Sequence, residues 1–159
     1  MRFRDSASYG KRQEYIAVAE LLKRGFDVYM TLVDDQGIDC VIRINERRYL
    51  DVQIKSRSEN AKPKEWAYFP LLSVPSKRDN MFFIFHSGRV DTYWVLPSED
   101  IITLASQPRT NVSQLKNGAN AGLYAVRLGG LQTSNGESKL VPFKRFDKYK
   151  GDAGFALLR

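Results

Sequence analysis

Within the stretch GIDCVIRINERRYLDVQIKSRS (37–58), Asp51, Gln53 and Lys55 fall at every second position of a run that alternates polar and apolar residues. In a strand, side chains at i, i+2 and i+4 share a face, so an acid, an amide and an amine line up while Val52 and Ile54 point the other way. Asp39 stands on the preceding strand, which returns through the short polar turn NERR (45–48). Oxygen donors and an ammonium group thereby converge. An octahedral Mg²⁺ takes one or two protein carboxylates and keeps water elsewhere, so Asp39 with the Gln53 side-chain carbonyl, or with a backbone carbonyl, is a sufficient set. Such a cation acidifies water and polarises a phosphoryl oxygen, while Lys55 orients the water or offsets charge on the phosphate. Glu14, near the start of a preceding helix, can add a further oxygen. This is the chemistry of phosphodiester hydrolysis. A plainer reading stands beside it. Cross-strand Asp–Lys pairing on a half-exposed strand produces the same pattern without metal, and Glu14 alone is an ordinary helix surface charge.

The elements that must hold these residues are legible in the periodicity. Ser8 precedes GKRQEYIAVAELLKRG, where Tyr15, Val18, Ala19 and Leu22 recur at helical spacing and Gly25 is a stop signal, which predicts a helix over residues 10–24. FDVYMTLV (26–33), IDCVIRI (38–44) and YLDVQIKS (49–56) read as three strands joined by short turns, an antiparallel meander covered by the helix. Residues 57–80 are polar, and Pro63, Pro70 and Pro75 break any long helix there. NMFFIFHSGRVDTYWVLP reads as a hairpin turning at Ser87-Gly88, its first arm apolar enough to be a central strand. PSEDIITLAS then carries a helix-start signature. From Gln107 onward the sequence is loop-like apart from a short strand in GLYAVRL (122–128). The tail VPFKRFDKYKGDAGFALLR interleaves bases with aromatics, a pattern that serves nucleic-acid stacking or the docking of Phe143, Phe146, Tyr149 and Phe155 onto the core.

At 159 residues the expectation is a single domain, 1–159, with residues 107–159 as a C-terminal extension. One cysteine, Cys40, forms no internal disulfide, and one histidine, His86, sits in an apolar run; together they cannot build a zinc site from Cys and His alone. No apolar run is long enough to cross a bilayer, and MRFRDSASYGKRQEY has no apolar signal core, so the cytoplasm is the expected location. Lys and Arg outnumber Asp and Glu by 25 to 18, and the resulting net charge of +7 favours a polyanionic partner.

At these same residues the sequence resembles the PD-(D/E)XK nuclease superfamily, particularly its small members similar to archaeal Holliday-junction resolvases and restriction-like endonucleases. The matching pieces are G-x-x-x-E in Gly10 to Glu14, the helix end LLKRGFDVY, GID with Asp39, and DVQIKS with Gln53 and Lys55. They cover residues 8–58 and extend loosely to the FFIFHSGRVDTYWVLP hairpin and the helix after it. The resemblance implies an α/β fold, a restriction-endonuclease-like mixed β-sheet with an α-β-β-β-α-β core flanked by helices, and Mg²⁺-dependent DNA cleavage, with Mn²⁺ able to substitute. It implies that Asp39 is the main metal ligand, that Ile54 contributes its backbone carbonyl, that Lys55 is the catalytic lysine and that Glu14 is the helix acid. Gln53 occupies the position usually held by Glu or Asp, and Ile38 replaces the motif's proline. A neutral amide donates oxygen but removes one negative charge. Asp51, two residues earlier on the same face, either offsets that charge or pairs with Arg43 of the neighbouring strand.

The expected substrate is duplex or branched DNA. Arg47, Arg48 and Arg57 are expected as phosphate contacts near the site, with Lys62, Lys64, Lys77 and Arg78 contributing from the irregular segment. Cutting both strands calls for two sites, and a homodimer is the natural assembly. The alternative is a nucleic-acid-binding or assembly module on a nuclease-like scaffold that no longer cuts.

Overall fold

The computed structural model describes residues 3–33, 36–76 and 78–159. Helix α1 runs Phe3–Lys23. It starts seven residues before the predicted boundary, which corrects the reading of Ser8 as a residue preceding the helix: Ser8 and Gly10 both lie inside it, and Gly10 touches nothing that would exclude a side chain. The stop is where the sequence placed it. Gly25 adopts φ +84, its N–H donates to the Leu22 carbonyl at 2.9 Å, and the Phe26 N–H donates to the Leu21 carbonyl at 3.1 Å. These are the two hydrogen bonds of a Schellman cap, and the buried pair Leu21 and Phe26 supplies its apolar contact.

Strands β1 (Asp27–Met30), β2 (Cys40–Arg43) and β3 (Tyr49–Arg57) form the expected antiparallel meander. The NERR turn is closed by the Asn45 side-chain oxygen, which accepts the backbone N–H groups of Arg47 and Arg48, both at 2.9 Å. The chain then leaves the sheet. A 3-10 turn at Pro63–Glu65 and strand β4 (Tyr68–Leu72) intervene before β5 (Met81–Ser87) returns parallel to β3. Strand β6 (Thr92–Pro97) pairs antiparallel with β5, completing a mixed sheet ordered β1-β2-β3-β5-β6. Its turn is Gly88–Asp91, slightly later than Ser87-Gly88, and helix α2 (Ser98–Ala105) follows as the sequence indicated.

The mixed sheet flanked by helices is the fold the sequence implied. Its crossover differs in kind, because β4 stands where an α-helix was expected between the third strand and its parallel neighbour. The prolines that forbid a helix there leave an edge strand possible, and β4 pairs with β8 (Tyr124–Arg127), itself paired with β7 (Val112–Gln114), in a second sheet. Strands β9 (Gly129–Ser134) and β10 (Glu137–Pro142) form a ribbon turning at Asn135-Gly136, both with positive φ. An Asn-Gly pair is a strong hairpin signal, and the loop reading of GGLQTSNGESK is corrected on that ground.

The five-stranded sheet has a core on each face. Ala17, Val18 and Leu21 of α1 cover Ile42, Leu50, Val52, Phe82 and Ile84, while Phe83, Phe85, Trp94 and Leu96 face the second sheet and α2. The C-terminal aromatics belong to these cores. Phe146 and Tyr149, on a 3-10 turn, join the second, and Phe155 on α3 (Gly151–Ala156) joins the first. Buried rings are not stacking platforms for bases, so the docking reading of the tail holds.

Candidate functional site

Strand β3 occupies the middle of the mixed sheet. Leu50, Val52 and Ile54 are buried on the α1 face, and Asp51, Gln53 and Lys55 lie half-buried on the other. The register explains the alternation's persistence: Gln53 is paired with Phe83 and Lys55 with Phe85, both fully buried on β5, so polar side chains begin where the second core ends.

Asp39 sits just ahead of β2 and is 6% exposed. Its backbone N–H donates to the Val52 carbonyl at 2.9 Å, and its Oδ2 accepts the Ile54 N–H at 2.6 Å. Both bonds set Asp39 against the segment 52–54, which carries Gln53 at its centre. The Gln53 amide in turn rests against Gly37. A Cβ at Gly37, which has φ +67, would lie 2.8 Å from the amide nitrogen, so glycine is required both for the backbone and for the room.

Glu14 approaches from α1. Its side chain is 18% exposed and accepts a 2.6 Å hydrogen bond from Lys11 Nζ. The hydrogen bond to Glu14 is the main cause that raises the Lys11 amine, burial works against it, and the charges of Glu14 and Asp39 act in the raising direction. Both carboxylates also act on Cys40, whose thiol is pushed up to about 12, chiefly by burial. Lys11 and Glu14 of α1 therefore lie near enough to Asp39 for their charges to act together, while Gln53 and Lys55 flank Ile54, the backbone partner of Asp39. Lys11 and Gly37 are additions to the expected set. Each was written in the sequence, Lys11 as the i−3 neighbour of Glu14 and Gly37 as the residue two before Asp39.

The donor set fits a hard divalent cation. Among the described residues no three of His, Cys, Asp and Glu gather as a metal cluster, so two carboxylates need the Gln53 amide oxygen or the Ile54 carbonyl beside them. That all-oxygen composition suits Mg²⁺, which retains water. The nearby thiol stays protonated at neutral pH and offers no thiolate. His86 is committed elsewhere: its ring joins the Ser56 hydroxyl at 3.1 Å and Asp91 at 3.2 Å, tying the end of β3 to the β5–β6 turn.

The other expected residues separate from this group. Asp51 pairs with Arg78 and not with Arg43, whose strand partner is Tyr49. Arg47 and Arg48 are exposed but lie in the turn at the opposite end of β3 from Lys55, roughly 23 Å away at strand rise, which corrects their placement near the site. Arg57 is engaged internally, with Nε donating to the Tyr68 carbonyl at 2.8 Å. Lys62 and Lys64 are exposed around the 3-10 turn of the crossover. Lys77 lies outside the described residues.

No protein-family model matches the chain. No curated protein sequence matches it significantly. The fold is similar to solved nuclease structures. A bacterial homing endonuclease, I-Ssp6803I, superposes with a TM-score of 0.55 at 19% identity, covering 94% of this chain and 90% of the other. A nuclease from a fusselovirus aligns at a TM-score of 0.43 and 16% identity, covering 94% and 85% of the two chains. Among the described residues no helix is long and apolar enough to cross a membrane.

Proposed function

We propose that this chain is a Mg²⁺-dependent DNA endonuclease of the PD-(D/E)XK type, hydrolysing phosphodiester bonds, with Mn²⁺ as an alternative cation. The observation that carries the reading is the Asp39 carboxylate locked to the Ile54 backbone, with Gln53 and Lys55 on either side of Ile54 and Glu14 reaching in from α1. Asp39, Glu14, the Gln53 side-chain oxygen and the Ile54 carbonyl would hold the cation. When bound, it supplies positive charge to a phosphoryl oxygen and acidifies water. Lys55 presents an ammonium to the same phosphate, offsetting charge that accumulates as the bond breaks. Lys11 would offer a second ammonium, held by Glu14. Exposed Lys62 and Lys64 extend positive charge along the crossover, where phosphates lose condensed counterions on contact. Two copies would serve the two strands of a duplex.

The test is incubation with supercoiled, linear, branched and single-stranded DNA in Mg²⁺ or Mn²⁺. Cleavage abolished by Asp39→Ala and by Lys55→Ala is expected; turnover that ignores both substitutions sinks the reading.

One observation favours a second reading, a DNA-binding module that does not cut. The charge that Gln53 lacks is not supplied by Asp51, because Arg78 neutralises it. That reading expects salt-sensitive DNA binding that survives loss of Asp39, and no metal-dependent turnover.

A further inference from the structure

Exposed large apolar residues concentrate at one edge of the molecule. Strand β1 is the terminal strand of the mixed sheet, and Leu32 and Val33 just beyond it are 103% and 70% exposed. Tyr29 and Met30 are open on the strand itself. On α1, Tyr15 and Leu22 are 59% and 54% exposed. Lys11, Tyr15, Val18 and Leu22 follow at spacings of four, three and four and so form one helical stripe. Helix α1 packs on β1 as well as on β3, which sets that stripe on the flank toward β1. The opposite flank carries Glu20 and its partner Arg24, which reaches Asp152 and Phe155 of α3. Met30 shares the α1 face of the sheet and Tyr29 the opposite face, so the helix shoulder and both faces of the strand edge present apolar side chains on the same side of the molecule. At roughly 100 Å² per large exposed side chain, these six residues offer on the order of 600 Å² before any backbone is counted, near the ~800 Å² per partner of a stable interface.

We propose that this surface is where a second copy of the chain docks, β1 pairing antiparallel with β1 of the other copy so that the two five-stranded sheets run on as one. The backbone selects this occupant. The Thr31 N–H points inward, donating to the Asp39 carbonyl at 3.3 Å, so by alternation the N–H and C=O groups of Val28 and Met30 point out of the edge. A two-fold axis beside Tyr29 pairs Val28 of one copy with Met30 of the other, twice. It also keeps each residue opposite one on its own face, as strand parity demands. An open strand edge is its own complement, and the apolar shoulder beside it covers the matching shoulder only in a symmetric dimer.

The interface is independent of the cleavage chemistry. Its consequence for cutting rests on the nuclease reading: the two Asp39 residues would stand roughly 20 Å apart, three strand spacings across and four residues along.

Sedimentation velocity on the full chain tests the surface, together with oxidative cross-linking of Tyr29→Cys. The two Tyr29 positions form a non-hydrogen-bonded pair with Cα atoms about 4.5 Å apart, inside disulfide range, and the native Cys40 is buried. A dimer is expected, cross-linked at position 29 but not through Ile16→Cys on the far side of α1. Leu22→Glu and Leu32→Glu, both at exposed positions that leave the cores intact, should each weaken association about 30-fold or more. A chain monomeric at every soluble concentration, a dimer indifferent to both glutamates, a dimer without the Tyr29→Cys cross-link, or a monomer whose patch binds lipid vesicles would overturn the proposal. None of these outcomes bears on whether DNA is cut.

Discussion

The Asp39 carboxylate accepts the backbone N–H of Ile54 at 2.6 Å, so the residue proposed as principal ligand is held in place by the strand that carries Gln53 and Lys55. The bond spans 15 positions of sequence and makes the spacing between the GID and DVQIKS segments a geometric requirement. It also separates two roles for one side chain, acceptor for a buried amide and negative charge for a cation.

Substitution distinguishes those roles. Asp39→Asn retains an oxygen acceptor for the Ile54 N–H and should fold nearly as well as the parent while losing cation binding in calorimetry. Asp39→Ala should lose cation binding too, and in addition about 1–3 kcal/mol of stability in urea titration, because the Ile54 amide is left unsatisfied.

Gly37 fixes the Gln53 amide by leaving space for it. Gly37→Ala should cost about 1–3 kcal/mol from its positive φ and displace the amide. Cation affinity should drop about 10-fold, the scale of a lost supporting contact around a metal. Combining it with Gln53→Ala should add little further loss of affinity, since the amide is then gone by either route.

In the proposed site Lys55 acts on the phosphate and is not a ligand of the cation. Lys55→Met should lower the cleavage rate about 100-fold or more while calorimetric cation affinity changes by no more than a few-fold. A parallel collapse of affinity would place Lys55 in the structural frame instead.

Arg78 gives a prediction in the opposite direction. Its pairing neutralises Asp51 beside Gln53. Arg78→Ala should therefore raise cation affinity several-fold by restoring charge to the face, at a stability cost of about 1 kcal/mol or less for a partly exposed pair.

How far the sequence reaches can be judged from these residues. Period-2 alternation placed Asp51, Gln53 and Lys55 on one face, and the helical period with Gly25 placed the end of α1, because local sterics and burial set both features. Arg78 was not legible as the partner of Asp51, since the two are 27 positions apart and meet only through the crossover. Strand β4 was hidden for the same reason: its ladder partner β8 lies more than fifty residues onward, and a proline inside the strand argues against it locally. The ribbon at Asn135-Gly136 did carry its signal, but strands that bury little beyond Gly129 and Leu140 have no alternation to reveal them.

Alkaline stability should decline in a defined window. Burial raises Cys40 from 9.0 to about 12, and burial with the hydrogen bond to Asp100 raises Tyr149 above its ordinary 10.0. Groups with raised folded-state values bind protons more tightly when folded, so their contribution is complete below the unfolded values and is lost as pH rises above 9 through the folded ones. Denaturation midpoints should be flat from neutral pH to about 9 and fall beyond it, with a shallower slope in Cys40→Ala.

Strand β5 has every residue buried, with one core on each face and β3 and β6 on its two sides. Such a strand has no partial opening available to it. Amide protons of Phe83, Ile84 and Phe85 should exchange with solvent deuterium only through global unfolding, while the exposed edge at β1 exchanges through local fraying. Because β3 is laced to β5 from Asp51 to Arg57, the strand bearing Gln53 and Lys55 shares that slow exchange. The side chains proposed to meet a phosphate thus stand on the least yielding backbone of the molecule, and a phosphate approaching them would find a surface already fixed in position.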